Sequence, residues 1–222
     1  MTADIVFLVD VDNTLFDNDR FQQELREHLQ SAYGDQANEV YWAAFDKLRS
    51  ELGYVDYLGA LQRYRLEEPH EPRILRLAGW LLEYPFADRL YPGALDAVRH
   101  IRQWGPAVIL SDGDAVFQPN KVGRSGLGQA FEGNVLIYVH KEKELVAIER
   151  AYPARHYVLV DDKLAILDAV KRAWGDRVTT IFPRQGRYAL EAAARRDLLP
   201  ADVAIAHIGD LTKHNLISLT GR

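Results

Sequence analysis

Five short apolar runs recur along the chain, at residues 5–9 (IVFLV), 107–110 (AVIL), 135–139 (VLIYV), 157–160 (YVLV) and 178–182 (VTTIF), and a weaker sixth lies at 203–206 (VAIA). None shows the strict apolar–polar alternation of a strand with one wet face, so each predicts a parallel strand buried on both sides. Between the later runs the apolar spacing lengthens to that of a helix. Residues 94–104 place Leu95, Val98 and Ile101 on one stripe, residues 142–151 carry Leu145 and Ile148, and residues 163–174 carry Leu164, Leu167, Val170 and Trp174. Gly105-Pro106 and Gly175-Asp176 supply stops between helix and next strand. Strand–helix alternation at this spacing predicts right-handed βαβ units, and hence an α/β fold: a doubly wound, Rossmann-like parallel sheet with helices on both faces.

The stretch from about residue 17 to 89 breaks that rhythm. It has no strand-like run, but Tyr41, Ala44, Phe45, Leu48 and Leu52 fall on one helical face, and Ile74, Leu77, Ala78, Leu81 and Leu82 on another. Pro69 and Pro72 separate two of these helices and Pro85 closes the last. The expected organisation is a core of residues 1–15 and 90–222, with a helical module at 16–89 inserted after the first strand.

Composition narrows the classes of function. The 222 residues are 48% hydrophobic and 27% charged, which is globular, and there is no cysteine, which excludes a disulfide scaffold, a thiolate metal site and a cysteine nucleophile. The 27 Lys and Arg against 32 Asp and Glu give a net charge of −5, so no overall basic field points to nucleic acid or an anionic membrane. The N-terminal MTADIVFLVDVDN places acids where a secretory signal needs cations, and no stretch approaches the roughly 20 apolar residues of a membrane span. The expectation is a soluble, cytoplasmic protein without nucleic-acid or membrane partners; a homo-oligomer is left open.

In an open parallel sheet, ligands bind beyond the carboxyl ends of the strands. Asp10-Val11-Asp12-Asn13-Thr14 follows the first run, Ser111-Asp112-Gly113-Asp114 the second, Lys141 and Lys143 the third, and Asp161-Asp162-Lys163 the fourth. Carboxylates crowded on one edge repel unless they protonate or a cation joins them. Oxygen ligands in small number, with room for water, favour Mg²⁺ over Ca²⁺. Such an ion beside a lysine and a hydroxyl suits phosphoryl transfer, which needs positioning and charge neutralisation. Each motif alone has a plainer reading: Asp12 or Asn13 as a turn residue, Ser111 and Asp161-Asp162 as helix caps, Lys141 on the surface. Their joint order on four strand ends favours the site.

These residues carry a family resemblance. IVFLVDVDNTL at 5–15 resembles the first signature of the haloacid dehalogenase superfamily, an apolar run followed by DxDxT. VILS at 108–111 is similar to its second, the lysine after the third strand to its third, and VLVDD at 158–162 to its acidic fourth. Tyr91-Pro92-Gly93 opening a helix resembles members with a helical cap between the first two signatures. Two positions depart from the pattern: Asp112 stands where Asn commonly follows the Ser or Thr, and no Pro follows Lys141, so Lys143 stays a rival to it.

The resemblance implies a Mg²⁺-dependent phosphatase acting on a small phosphorylated metabolite. It implies Asp10 as nucleophile and Asp12 as general acid and base. It implies Ser111, Asp112 and Lys141 on the phosphate side, Mg²⁺ held by Asp10, the carbonyl of Asp12 and Asp162, and Asp161 acting through water or behind them. Thr14 is expected to tie down its own loop. Asp12 decides the subclass, because a dehalogenase of this fold has no leaving alcohol to protonate. The rivals are a dehalogenase, a phosphorylation-controlled receiver module, which would carry its acid pair after the first strand, and a catalytically silent phospho-ligand-binding protein. Lys121 is a third candidate for the lysine of the third signature, but it precedes the third strand and reads better as a helix-surface lysine. The aromatics Tyr54, Tyr57, Tyr64, Trp80 and Tyr84 read as packing. Arg20, Lys47, Arg63 and Arg65 read as a solvated face, and residues 184–187 (RQGR) as a fringe of the crevice in a minority reading.

Overall fold

The apolar runs pair into one all-parallel sheet. A computed structural model of the chain describes residues 2–68, 70, 72–192 and 197–215. Strands β1 (Ala3–Val9), β2 (Ala107–Asp112), β3 (Val135–Tyr138), β4 (Ala154–Val160), β5 (Val178–Pro183) and β6 (Val203–Ile205) lie in the order β3-β2-β1-β4-β5-β6. β1 is central, with Phe7 opposite Ala107 on one side and Val158 on the other. Alternate residues of each run feed two separate cores. Phe7, Val9, Ile109, Val158, Val160 and Ile181 face one side, and Val6, Leu8, Val108, Leu110, Tyr157 and Leu159 the other. That is why the runs show no polar alternation: both faces are covered.

Helix α5 (Ala94–Ile101) covers the first face, together with α6 (Phe117–Arg124) and α7 (Leu127–Ala130); α8 (Leu145–Ala151) and α9 (Leu164–Trp174) cover the second. Tyr157 stacks on Trp174 with ring centroids 4.4 Å apart. One expected stripe is rotated. Leu95 is 41% exposed, and the buried side of α5 is Ala94, Ala97, Val98 and Ile101. Just before the helix, Gly93 and Gly209 pass so closely that a Cβ on Gly93 would stand 2.9 Å from Gly209 Cα. A final helix, α10 (Arg187–Ala192), follows β5.

The inserted segment forms α1 (Asn18–Tyr33), α2 (Asp35–Leu52), α3 (Tyr57–Glu67) and α4 (Ile74–Glu83). Asp17 caps α1 by accepting from the Arg20 amide at 2.9 Å, and Asp56 caps α3 through the Gly59 amide. The chain leaves and re-enters the core side by side: the Asp17 amide donates to Arg89 O, and the Tyr91 amide to Leu15 O. Phe21 sits among Tyr57, Trp80, Tyr84, Phe86 and Phe117, so most of the insert's aromatics are spent on packing. Pro69, expected to separate α3 from α4, lies outside the described residues. Among the described residues, no helix is long and apolar enough to cross a membrane.

Candidate active site

β1, β2 and β4 end on one edge, and the residues just beyond their ends converge. The Asp10 amide still donates to Val160 O, which holds the residue in the sheet's ladder, and its side chain is buried. Lys141 is buried beside it. Its ammonium donates to Asp10 Oδ1 at 2.5 Å and Leu110 O at 3.2 Å, and lies 2.6 Å from Asp161 Oδ2 as an ion pair. Its own amide donates to Asp112 Oδ1 at 2.8 Å, so Asp112 fixes the lysine's backbone. Lys143, the rival, is exposed.

Oxygens of Asp10, Asp161 and Asp162 lie within 4.8 Å of one another, and all three residues are buried. Both carboxylate oxygens of Asp162 lack any hydrogen-bond partner. Burial, reinforced by Asp161 and opposed by Lys141, leaves the Asp10 carboxyl pushed up to about 7. Burial, then Asp161 and Asp10, push Asp162 well above the ordinary carboxylate range. Three buried acids around one ammonium leave negative charge and three oxygens, both of Asp162 and Oδ2 of Asp161, without a hydrogen-bond partner. A hard divalent cation answers both, so the residues present fit Mg²⁺.

The carboxylate of Asp12 stands outside that cluster. Its Oδ1 lies 2.5 Å from Lys121 Nζ, and its Oδ2 accepts from Gln118 Nε2 at 3.1 Å. Gln118 Nε2 also donates to Ser111 Oγ at 2.9 Å, joining the first and second strand ends. Lys121 is not a surface residue. It is 1% exposed, with its ammonium 5.1 Å from the Phe16 ring centre and 5.4 Å from that of Phe117. Sequence reasoning missed it because helix α6 carries few apolar residues to reveal its buried face; the Gln118/Lys121 spacing of three, one turn into the helix after β2, was the available signal.

The loop after Asp12 is shaped by Asn13, whose φ of 58° is left-handed. Its side chain accepts from the amides of Asn18 and Asp19 and donates to Asp19 Oδ1, which starts α1. Thr14 does more than tie its own loop, since its hydroxyl accepts from the Asp162 amide at 3.1 Å and joins the first and fourth strand ends. By sequence Gln185 reads as a fringe residue of the crevice. It is buried, donates to the carbonyls of Asn13 and Thr14, and accepts from the Ile208 amide.

From the insert, the turn at Gly53 presses on His140: a Cβ there would stand 2.7 Å from His140 Cε1. Arg20 and Arg63 pair with Glu24 and Glu51 of the insert itself, and Lys47 and Arg65 are exposed. Arg49 reaches from insert to core and donates to the Tyr188 hydroxyl at 2.8 Å.

A family model described as haloacid dehalogenase-like hydrolase matches residues 6–173. The chain belongs to that family. A member from Burkholderia xenovorans LB400, assigned as a haloacid dehalogenase-like hydrolase, is 57% identical in a solved structure, with a TM-score of 0.91 over 96% of this chain and 99% of that one. Two more distant structures show the shared haloacid dehalogenase-like fold. L-2-haloacid dehalogenase from Xanthobacter autotrophicus, with chloropropionic acid covalently bound, has 17% identity and a TM-score of 0.62 over 96% of this chain and 98% of that one. A Thermotoga maritima protein assigned as a β-phosphoglucomutase has 14% identity and a TM-score of 0.60, over 98% of this chain and 99% of that one. Among curated proteins, none matches the sequence.

Proposed function

We propose that this haloacid dehalogenase-like hydrolase is a Mg²⁺-dependent phosphatase that cleaves small phosphate monoesters through an aspartyl-phosphate on Asp10. The observation that carries the reading is Asp12: a second carboxylate two residues from Asp10, outside the acid cluster and held in place by Lys121 and Gln118. A group so placed can give a proton to a departing alkoxide, which halide release does not need. The Xanthobacter enzyme with its bound chloropropionic acid speaks only for the shared fold at 17% identity.

An oxygen of Asp10 attacks phosphorus while the ester P–O bond breaks, and the leaving oxygen takes the proton of Asp12. Water then attacks the phosphorus of the acyl phosphate; Asp12 takes its proton, the bond to Asp10 breaks, and inorganic phosphate leaves. Lys141 offsets charge on Asp10 and on the phosphoryl oxygens, and Ser111 donates to one of those oxygens. Mg²⁺, held by the carboxylates of Asp10 and Asp162 and the carbonyl of Asp12, with Asp161 behind, supplies further charge neutralisation when bound. Residues 16–89 act as a cap that shuts water out and selects the substrate.

The test is inorganic phosphate release from a panel of phosphate monoesters, with Mg²⁺ and with excess chelator. Mg²⁺-dependent turnover that disappears in Asp10→Asn is expected. Undiminished turnover in that variant would end the covalent mechanism, and halide release from 2-haloacids without phosphate release would favour the dehalogenase reading.

A further inference from the structure

Tyr188, the second residue of α10, gathers positive charge from three directions. Arg49 of the insert donates to its hydroxyl at 2.8 Å, and Arg187 donates to the same oxygen at 3.2 Å. The Lys163 ammonium lies 5.4 Å from the ring centre, and the Arg187 guanidinium 5.0 Å. Two guanidinium groups on one neutral oxygen repel each other, and a phenol offers no charge to offset them. Among the described residues, Asp19 is the carboxylate within ion-pair distance of these cations, 3.7 Å from Arg187 Nε, while the charge of Lys163 is also felt by Asp10 and Asp161 of the acid cluster. That acid is already committed: it accepts from Asn13 Nδ2 and from the Arg187 amide. The Nε of Arg187 is enclosed without an acceptor in hydrogen-bond range.

This cluster adjoins the catalytic edge. Lys163 directly follows Asp162, and Arg187 follows β5, the neighbour of β4. Gln22 links Arg187 to the Tyr57 hydroxyl, at 3.4 Å and 3.0 Å. Arg49 comes from α2 and Arg187 and Lys163 from the core, so an anion held among them spans the seam between insert and core.

We infer that Arg49, Arg187 and Lys163 form a subsite for a second anionic group of the substrate, a carboxylate or a further phosphate, set apart from the phosphoryl group that is cleaved. Planar guanidinium forks suit either oxyanion. The substrate class is then a phosphate monoester with another acidic group, and its binding pulls the cap down over Asp10. The inference rests on the phosphatase reading and deepens it.

Its test compares kcat/KM for phosphate monoesters of matched length that end in a hydroxyl, a carboxylate or a second phosphate. The wild-type protein should favour one or both anionic series at least tenfold, and the two anionic arms tell carboxylate from phosphate. Arg49→Gln and Arg187→Gln should each cut that preference severalfold or more, chiefly through KM, and Arg187→Lys should restore part of it. Circular dichroism checks that the variants fold. Equal turnover of all three series by the wild type, or variants that slow all three by one common factor, would overturn the subsite. Absence of phosphate release from any ester would instead overturn the phosphatase reading beneath it.

Discussion

Lys121 Nζ lies 2.5 Å from Asp12 Oδ1, and the two residues are 109 positions apart in the chain. The pair is unequal: the lysine side chain is 1% exposed and the aspartate side chain 30%. Removing the aspartate leaves a buried ammonium with only two aromatic rings and no counter-charge. Removing the lysine leaves a carboxylate that water reaches and that Gln118 still holds. Asp12→Ala should therefore lose about 3 kcal/mol of stability, as broken buried pairs do. Lys121→Met should lose under about 1 kcal/mol, in the range of half-solvated pairs. Urea titration of both variants decides; equal losses would show that the lysine is not held by this partner. In turnover, Lys121→Met should lower kcat about tenfold or more with KM little changed, because a misplaced Asp12 affects proton transfer more than binding.

The acid cluster predicts a pH-dependent response to metal. Asp10, raised to about 7, binds its proton more tightly in the folded protein than in the unfolded chain. Without metal, this group's contribution to stability is greatest at low pH and declines as pH rises through the window from the ordinary carboxylate value to about 7. Mg²⁺ must displace that proton, so the rise in Tm on adding Mg²⁺ should be larger at about pH 8 than at about pH 5. Asp162→Asn should abolish most of the rise. Differential scanning fluorimetry across that range checks both, and a metal effect independent of pH would mean that the ion sits elsewhere.

A second pH effect has the opposite sign. Burial raises the Glu24 carboxyl, but hydrogen bonds from Tyr84, Arg89 and Arg20 outweigh it and hold the group below its ordinary value. A depressed carboxylate contributes stability above its unfolded pKa and loses it as pH falls through the folded value. Glu24→Gln should therefore be less stable than wild type at neutral pH by about 1 kcal/mol, after discounting for the partial exposure of these side chains. The gap should close in acid. Denaturation curves at about pH 7 and about pH 3 test this, and a constant gap would assign the loss to packing.

Gly186 and Gly123 make a matched pair of glycine substitutions. Gly186 has φ +70°, and a Cβ there would meet Asn13 Cβ at 2.7 Å. Gly186→Ala should cost about 1–3 kcal/mol and lower kcat, because Asn13 turns the loop that carries Asp12. Gly123 lies inside α6 with open space around it, and Gly123→Ala should stabilise by about 0.5–1 kcal/mol. Thermal denaturation of the two variants should shift in opposite directions.

How far the chain could be read in advance differs from residue to residue. Asp10, Ser111 and Asp161-Asp162 were legible because each stands where an apolar run stops, and a parallel sheet brings such stops to one edge. The choice between Lys141 and Lys143 was not legible. Both follow β3 with equal local credentials, and only the short 3₁₀ turn at Lys141–Lys143 directs the first inward and the second to solvent. Gln118 and Lys121 were hidden for a related reason: a polar helix shows no apolar stripe, so its inward face is named by what it meets. Leu95 misled because an apolar stripe does not by itself say which side of α5 packs, and Ala94 and Ala97 fill the buried side beside Val98 and Ile101.

The sequence by itself determined the strand positions, the parallel sheet and the acids at its edge, because apolar runs and their polar stops are properties of neighbouring residues. The tertiary structure alone decided which cation pairs with which carboxylate, that Asp162 keeps two oxygens without hydrogen-bond partners, and that Arg49 and Arg187 converge on the Tyr188 hydroxyl. Those outcomes depend on burial and on distances between residues far apart in the chain, because water and salt screen separated charges and pairing becomes selective only once packing brings the partners close and excludes solvent.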